Sequence, residues 1–165
     1  MEKTALQKGK NKPESALIKT ALNKTMALCA SREYCSEDIR MKLDSWGLNS
    51  YDAESVISTL INENFINDQR YAEAFVKDKY RYNKWGKVKI AAHLKAKRIP
   101  AEVIEAALDI LDVNQYKQTI REILASRRKF IKAKNQFDLK GKLLRFGLSK
   151  GFESHLLYDI INEID

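Results

Sequence analysis

Apolar residues recur along this chain three and four positions apart with polar residues between them, the period of an amphipathic helix rather than of a strand. Leu17, Ile18, Ala21, Leu22 and Met26 make one such stripe, which predicts a helix from a Ser15 cap to about Ser31. Ser36 opens the run SEDIRMKLDSW, with Ile39 and Leu43 four apart and Gly47 as its terminator. Ser50-Tyr51-Asp52 starts a third run in which Ala53, Val56, Ile57 and Leu60 face inward. Asn67-Asp68 then supplies a helix start, followed by Tyr71, Phe75 and Tyr82 on one side. Asn83-Lys84-Trp85-Gly86 breaks that helix, and Lys87 to Lys97 resumes with Ile90 and Leu94 four apart. Only 6 Gly and 2 Pro in 165 residues argue against a loop-rich β fold.

The pattern repeats. A shift of 51 residues places Ile39 on Ile90, Leu43 on Leu94, Leu48 on Ile99 and Ile57 on Leu108. A shift of 100 places Leu43 on Leu143, Gly47 on Gly147, Leu48 on Leu148 and Leu60 on Ile160. The expected fold is all-α: three tandem three-helix, helix-turn-helix-like repeats in an elongated curved array. The expected divisions are a flexible basic tail over 1–14 and repeats over 15–65, 66–112 and 113–165. The tail sequence MEKTALQKGKNKPESA has no apolar stretch of the signal-peptide kind, and no apolar run is long enough to span a bilayer.

Charge changes this picture. The formal net charge is +8, which favours an anionic partner. It is also clustered: Lys77 to Arg98 holds nine Lys or Arg and one acid, Asp78. On a helical wheel Arg70, Lys77, Arg81 and Lys84 fall within roughly 60° of one another, as do Lys117, Arg121, Arg128 and Lys132. The third helix of each repeat is acidic on balance, for example Glu102, Glu105 and Asp109. Lys79 and Arg127 fall at matching places in the apolar sides of their helices, where long stems can carry the charge outward. Tyr82 and Trp85 read as core, with Tyr80 undecided.

Candidate chemistry is sparse. No phosphate-binding Gly loop, HExxH or Cys-x-x-Cys occurs. Cys29 and Cys35 sit six apart with no ligand-spaced His, and two thiols of this kind suit a reducing cytoplasm. His93 lies among Lys89 and Lys97, poor surroundings for a general base. The expectation is a binding protein with no catalytic residues, no metal and no cofactor.

The run FINDQRYAEAFVKDKY resembles the central signature of the RecX regulatory proteins: an aromatic, an acidic cap, then Arg-aromatic-Ala-Glu-x-Phe-Val. ASREYCSEDIRMKL is similar to the first-unit pattern of that family, Trp85-Gly86 to Ile99 to its basic second helix, and LLRFGLSKGFESHLLYDI to its third-unit ending. The resemblance covers Ala16 to about Ile164. It implies three tandem three-helix repeats and a modulator that binds the RecA recombinase filament and inhibits its ATPase, strand-exchange and coprotease activities. Many members also bind DNA, so single- or double-stranded DNA is a further expected partner. A membrane is not, and the protein is expected to act as a monomer. Where the family commonly ends a second-unit helix with Lys-Gly-aliphatic, this chain has Lys97-Arg98-Ile99-Pro100, which puts the local turn geometry in question.

The residues expected to meet the partner are Arg70, Lys77, Arg81, Lys84, Lys87, Lys89, Lys97, Arg98, Arg121, Arg128 and Lys132. The competing reading is a direct, non-sequence-specific DNA-binding helical module, against which the acidic third helices weigh, because they would repel phosphate.

Overall fold

The structure, a computed structural model, describes the backbone of residues 11–164 and the side chains of residues 16–164. Nine helices and no strand occur among the described residues: α1 Asn11–Ser31, α2 Ser36–Ser45, α3 Ser50–Asn62, α4 Asp68–Asn83, α5 Lys87–Ala96, α6 Ala101–Leu108, α7 Val113–Arg128, α8 Gln136–Ser149 and α9 Ser154–Asn162. Most of the tail expected over 1–14 lies outside the described residues, and α1 has begun by Asn11, ahead of the predicted Ser15 cap. The chain divides after Tyr71 into two compact units.

In the first unit α1 and α2 pack on α3. Ile39, Leu43, Val56, Ile57 and Leu60 are buried in one core with Ala21 and Ile66. The starts of α2 and α3 use side chains one residue ahead of those predicted, whereas Asn67 caps α4 as predicted. Cys35, not Ser36, caps α2, its Sγ accepting from Asp38 N at 3.4 Å. Asn49 Oδ1 caps α3 by accepting from Asp52 N at 2.8 Å. Asn67 Oδ1 accepts from Arg70 N at 2.9 Å, which leaves Asp68 for α2: its Oδ1 accepts from Ser36 N at 2.8 Å. A carboxylate there also complements the positive end of the α2 dipole. Burial pushes the Cys35 thiol up to about 12, so it serves as a cap and not as a nucleophile.

In the second unit α5 packs on α6, and α7, α8 and α9 pack on one another. Ala72, Val76, Ile90, Leu94, Ile104 and Ala107 are buried on α4 to α6. Tyr116, Ile120, Leu124, Leu143, Phe152 and Leu157 make a second core. The buried stripe of α4 runs Ala72, Val76 and on to Tyr80, at steps of four. Tyr80 stacks on Tyr116 with centroids 5.9 Å apart, and its hydroxyl lies 2.7 Å from Thr119 Oγ1. Tyr82, predicted as core, is 72% exposed because it lies off that stripe in the last turn of α4.

Three helix ends fix the register of the repeats. Gly47, Arg98 and Gly151 all have left-handed backbone, with φ of 88°, 55° and 88°. At each, the following N–H reaches back five residues: Leu48 to Leu43 O, Ile99 to Leu94 O, and Phe152 to Gly147 O, at 3.1 to 3.2 Å. This glycine-type stop ends the middle helix of each repeat, and Asn64, with φ 60° and Phe65 N donating to Leu60 O, ends α3 in the same way. Arg98 therefore keeps the turn that the loss of Gly put in question, with an arginine in the left-handed region. The partner of Gly47 in the third repeat is Gly151, a shift of 104, and not Gly147. Gly147 lies one turn earlier inside α8, where an added Cβ would come within 2.4 Å of Leu157 Cδ2. A shift wrong by four residues still superposes apolar faces, because four residues are close to one helical turn. Leu148, matched to buried Leu48 by the shift of 100, is accordingly 46% exposed.

Gly86 is no turn glycine. It is buried, caps α5 with ordinary extended backbone, and lies against Gly151. Gly86 N donates to Lys150 O at 2.8 Å and Val88 N to Gly151 O at 3.0 Å. A Cβ on Gly86 would sit 2.3 Å from Gly151 O, and one on Gly151 would sit 2.1 Å from Lys89 Cβ. Beside this contact Tyr116 Oη accepts from Lys87 N at 2.9 Å and donates to Glu153 Oε1 at 2.6 Å. The start of α5 is thus stitched to the α8–α9 turn by backbone and by one phenol.

Candidate partner-binding face

The eleven cations singled out in the sequence fall into distinct groups. Arg70, in the first unit, is engaged internally. Its Nε lies 2.6 Å from Glu33 Oε1, and its Nη2 donates to the carbonyls of Asn64 and Phe65 at 3.3 Å. It closes the end of α3 through those carbonyls. Lys87 and Lys89 lie over aromatic rings, Lys87 Nζ 5.1 Å from the Tyr116 centroid and Lys89 Nζ 4.6 Å from that of Trp85. Such contacts hold a cation by roughly 0.5–2 kcal/mol without neutralising it. Lys97 caps α5 at its C-terminal end, and Arg98 occupies the left-handed position after it. Arg121 Nε lies 3.5 Å from Oε2 of Glu163, the residue that follows α9, and Arg128 is the exposed last residue of α7.

Lys77, Arg81, Lys84 and Lys132 are exposed and form no salt bridge among the described residues. Lys77 and Arg81 are one turn apart on α4, as the wheel predicts. Lys84 and Lys132 are not on the helices whose wheels placed them. Lys84 follows the end of α4 with φ 55°, and Lys132 lies in the segment between α7 and α8. The two four-membered stripes are therefore shorter than predicted, because each helix stops before its last cation.

The misplaced cations in the apolar pattern have a use. Lys79 Nζ lies 5.1 Å from the Trp85 centroid, and Arg127 Cζ lies 5.0 Å from that of Phe146. Each rests on a ring instead of entering the core. The Trp85 ring also lies 4.6 Å from that of His93, tilted by 32°, with Phe75 edge-on 6.5 Å away, so Trp85 is half-buried at the foot of a cationic cluster.

Sequence reasoning missed a second set of cations. Lys142, Arg145 and Lys150 lie on or just after α8, near Arg127 and the exposed Phe130. Their signal was legible in RRKFIKAK and GKLLRFGLSKG, basic runs with an aromatic inside them, but these cations do not share the helical-wheel stripe of Lys117, Arg121, Arg128 and Lys132. Among the described residues no group of His, Cys, Asp and Glu is arranged to hold a metal, and no helix is long and apolar enough to cross a membrane.

Comparison with known proteins supplies the family. The family model described as RecX, second three-helix domain, matches residues 67–108, the span of α4 to α6. The regulatory protein RecX of Clostridium botulinum (strain Eklund 17B / Type B) is 32% identical over 169 residues, covering 94% of this chain and 78% of that protein. The chain belongs to the RecX family. A crystal structure of RecX from Lactobacillus salivarius shares its fold with a TM-score of 0.78 at 24% identity, over 92% of this chain and 98% of the other. A second crystal structure, of a regulatory protein RecX, superposes with a TM-score of 0.84 at 19% identity, over 99% of this chain and 82% of the other. The all-α helical-repeat architecture read from the periodicity is that of RecX structures, and the role that goes with this family is regulatory rather than enzymatic.

Proposed function

We propose that this protein binds the nucleoprotein filament of the RecA recombinase and inhibits its ATPase, strand-exchange and coprotease activities in the cytoplasm. Membership of the RecX family carries the reading, and the exposed cations give it a physical means. Three modules, over 15–65, 66–112 and 113–165, offer several weak contacts on one chain, and linked contacts add avidity that none has alone. Lys77 and Arg81, exposed one turn apart and outside any salt bridge among the described residues, are the pair best placed to meet acidic protein surface or DNA phosphate. Contact with neighbouring protomers would hinder the cycling that ATP turnover requires.

Reversing both charges, Lys77→Glu with Arg81→Glu, is expected to raise the concentration needed for half-inhibition of the recombinase ATPase roughly tenfold or more, since like charges across an interface repel. Both residues are exposed, so the helical circular-dichroism signal and the melting midpoint should hold. Unchanged inhibition by the folded double variant would overturn the assignment of these two residues.

A further inference from the structure

Between the second half of α7 and the end of α9 the second unit has an open hollow of about 420 Å³. Its floor is aliphatic: Ala125 from α7, Ile160 from α9 and Ile164 just beyond α9. Its rim is cationic. Arg121, Arg128 and Lys129 stand there against one carboxylate among the described residues, Glu163.

The hollow is built into the fold. α7 packs on α9, and Ile160 is only 3% exposed. Glu163 N donates to Ile160 O at 3.2 Å and Ile164 N to Ile161 O at 3.1 Å, which closes the last turn of α9. Ile164 is thereby brought against the core that holds Tyr116 and Leu157. Ala125, exposed on α7, is the small residue that leaves the hollow open. Arg121 Nε lies 3.5 Å from Glu163 Oε2, with both side chains well exposed. A pair so exposed holds weakly. Glu163 therefore stands where an incoming carboxylate would meet Arg121.

We infer that this hollow receives an apolar anchor side chain carried on an acidic segment of the partner protein. The anchor lies on Ala125, Ile160 and Ile164, and the carboxylates flanking it meet Arg128 and Lys129. An apolar anchor in a pocket with a charged rim is the arrangement that concentrates binding energy at protein interfaces. Nucleic acid brings phosphates for the rim but nothing for the floor, where no aromatic ring offers a base a stacking surface. Glu163 would also repel its backbone. A neutral apolar peptide would leave the excess of cations unanswered. This docking rests on the filament reading, since the recombinase is the protein that would supply the segment.

Co-sedimentation with recombinase filaments on single-stranded DNA, with bare DNA beside it, tests the docking through two variants. Ala125→Trp sets an indole in the hollow. It is expected to weaken retention on filaments about tenfold or more, as when an interface anchor is denied its pocket, while binding to bare DNA is unchanged. Glu163→Gln removes the carboxylate from the rim and is expected to tighten retention about two- to fourfold. Ala125 is exposed and Glu163 follows α9, so both variants should keep the parent's melting midpoint. Wild-type retention of Ala125→Trp would overturn the docking and leave the filament reading standing. So would retention of Glu163→Gln at or below that of wild type. An equal loss of Ala125→Trp on bare DNA would overturn it in favour of nucleic acid. Wild-type protein held no better by filaments than by bare DNA would overturn the filament reading and this docking with it.

Discussion

Gly86→Ala is expected to cost about 3 kcal/mol or more of stability, whereas Gly141→Ala should cost nothing and can add a few tenths of a kcal/mol. The two glycines differ in what a methyl group would meet. At Gly86 the methyl would overlap the backbone of Gly151 and Phe152 at 2.3 to 2.4 Å, and backbone cannot rotate away as a side chain can. The segments must part, and the bonds from Gly86 N to Lys150 O and from Val88 N to Gly151 O stretch or break. Leaving two buried backbone groups poorly paired costs about 1–3 kcal/mol each. At Gly141 nothing lies within 4 Å, and an alanine within α8 has the better helix propensity. For a chain of this size the Gly86 change should lower the melting midpoint by roughly 6–12 °C in calorimetry. A midpoint within a degree of the parent would show that the α5 start does not need this close approach.

Tyr116→Phe is expected to lose roughly 1–3 kcal/mol with no change in packed volume. The hydroxyl is the only atom removed, and it serves two partners, Lys87 N and Glu153 Oε1. Phenylalanine leaves a backbone donor and a carboxylate without the group they were arranged around. The same residue links stability to pH. Burial first, and then the bond to Glu153, push the Tyr116 phenol well above its ordinary value. A group whose folded pKa is raised stabilises the fold below its unfolded pKa and loses that contribution as pH rises. Stability should therefore fall above about pH 10, where the unfolded tyrosine ionises. Tyr71, pushed up to about 12 by burial, adds to the same alkaline loss. Urea melts of Tyr116→Phe should show a lower midpoint at pH 7 and a shallower fall between pH 9 and 11. An alkaline fall as steep as the parent's would mean that Tyr116 does not carry its share.

The helices were legible because their cores are made of apolar residues at helical spacing, and Ile39, Leu43, Ile90 and Leu94 are buried as that spacing requires. The register of the third repeat was not, since apolar faces recur every turn and only the left-handed residue marks the stop. Gly151 carries that mark and Gly147 does not. The purpose of Gly86 was hidden for another reason: the backbone it touches is 65 positions away, as 151 − 86 shows, and nothing near it in sequence announces a partner. The basic character of α4 and α5 was legible as composition. Which cations are committed was not, because Arg70 goes to Glu33 and to the end of α3 through contacts that only the fold creates. Lys84 and Lys132 were placed on helices that end before they are reached.

Co-sedimentation with recombinase filaments tests the central claim most directly. RecA would be assembled on single-stranded DNA, with the same DNA lacking RecA as the control. The account predicts that the protein is retained far better on filaments than on bare DNA. Retention no greater on filaments than on the DNA alone would contradict it.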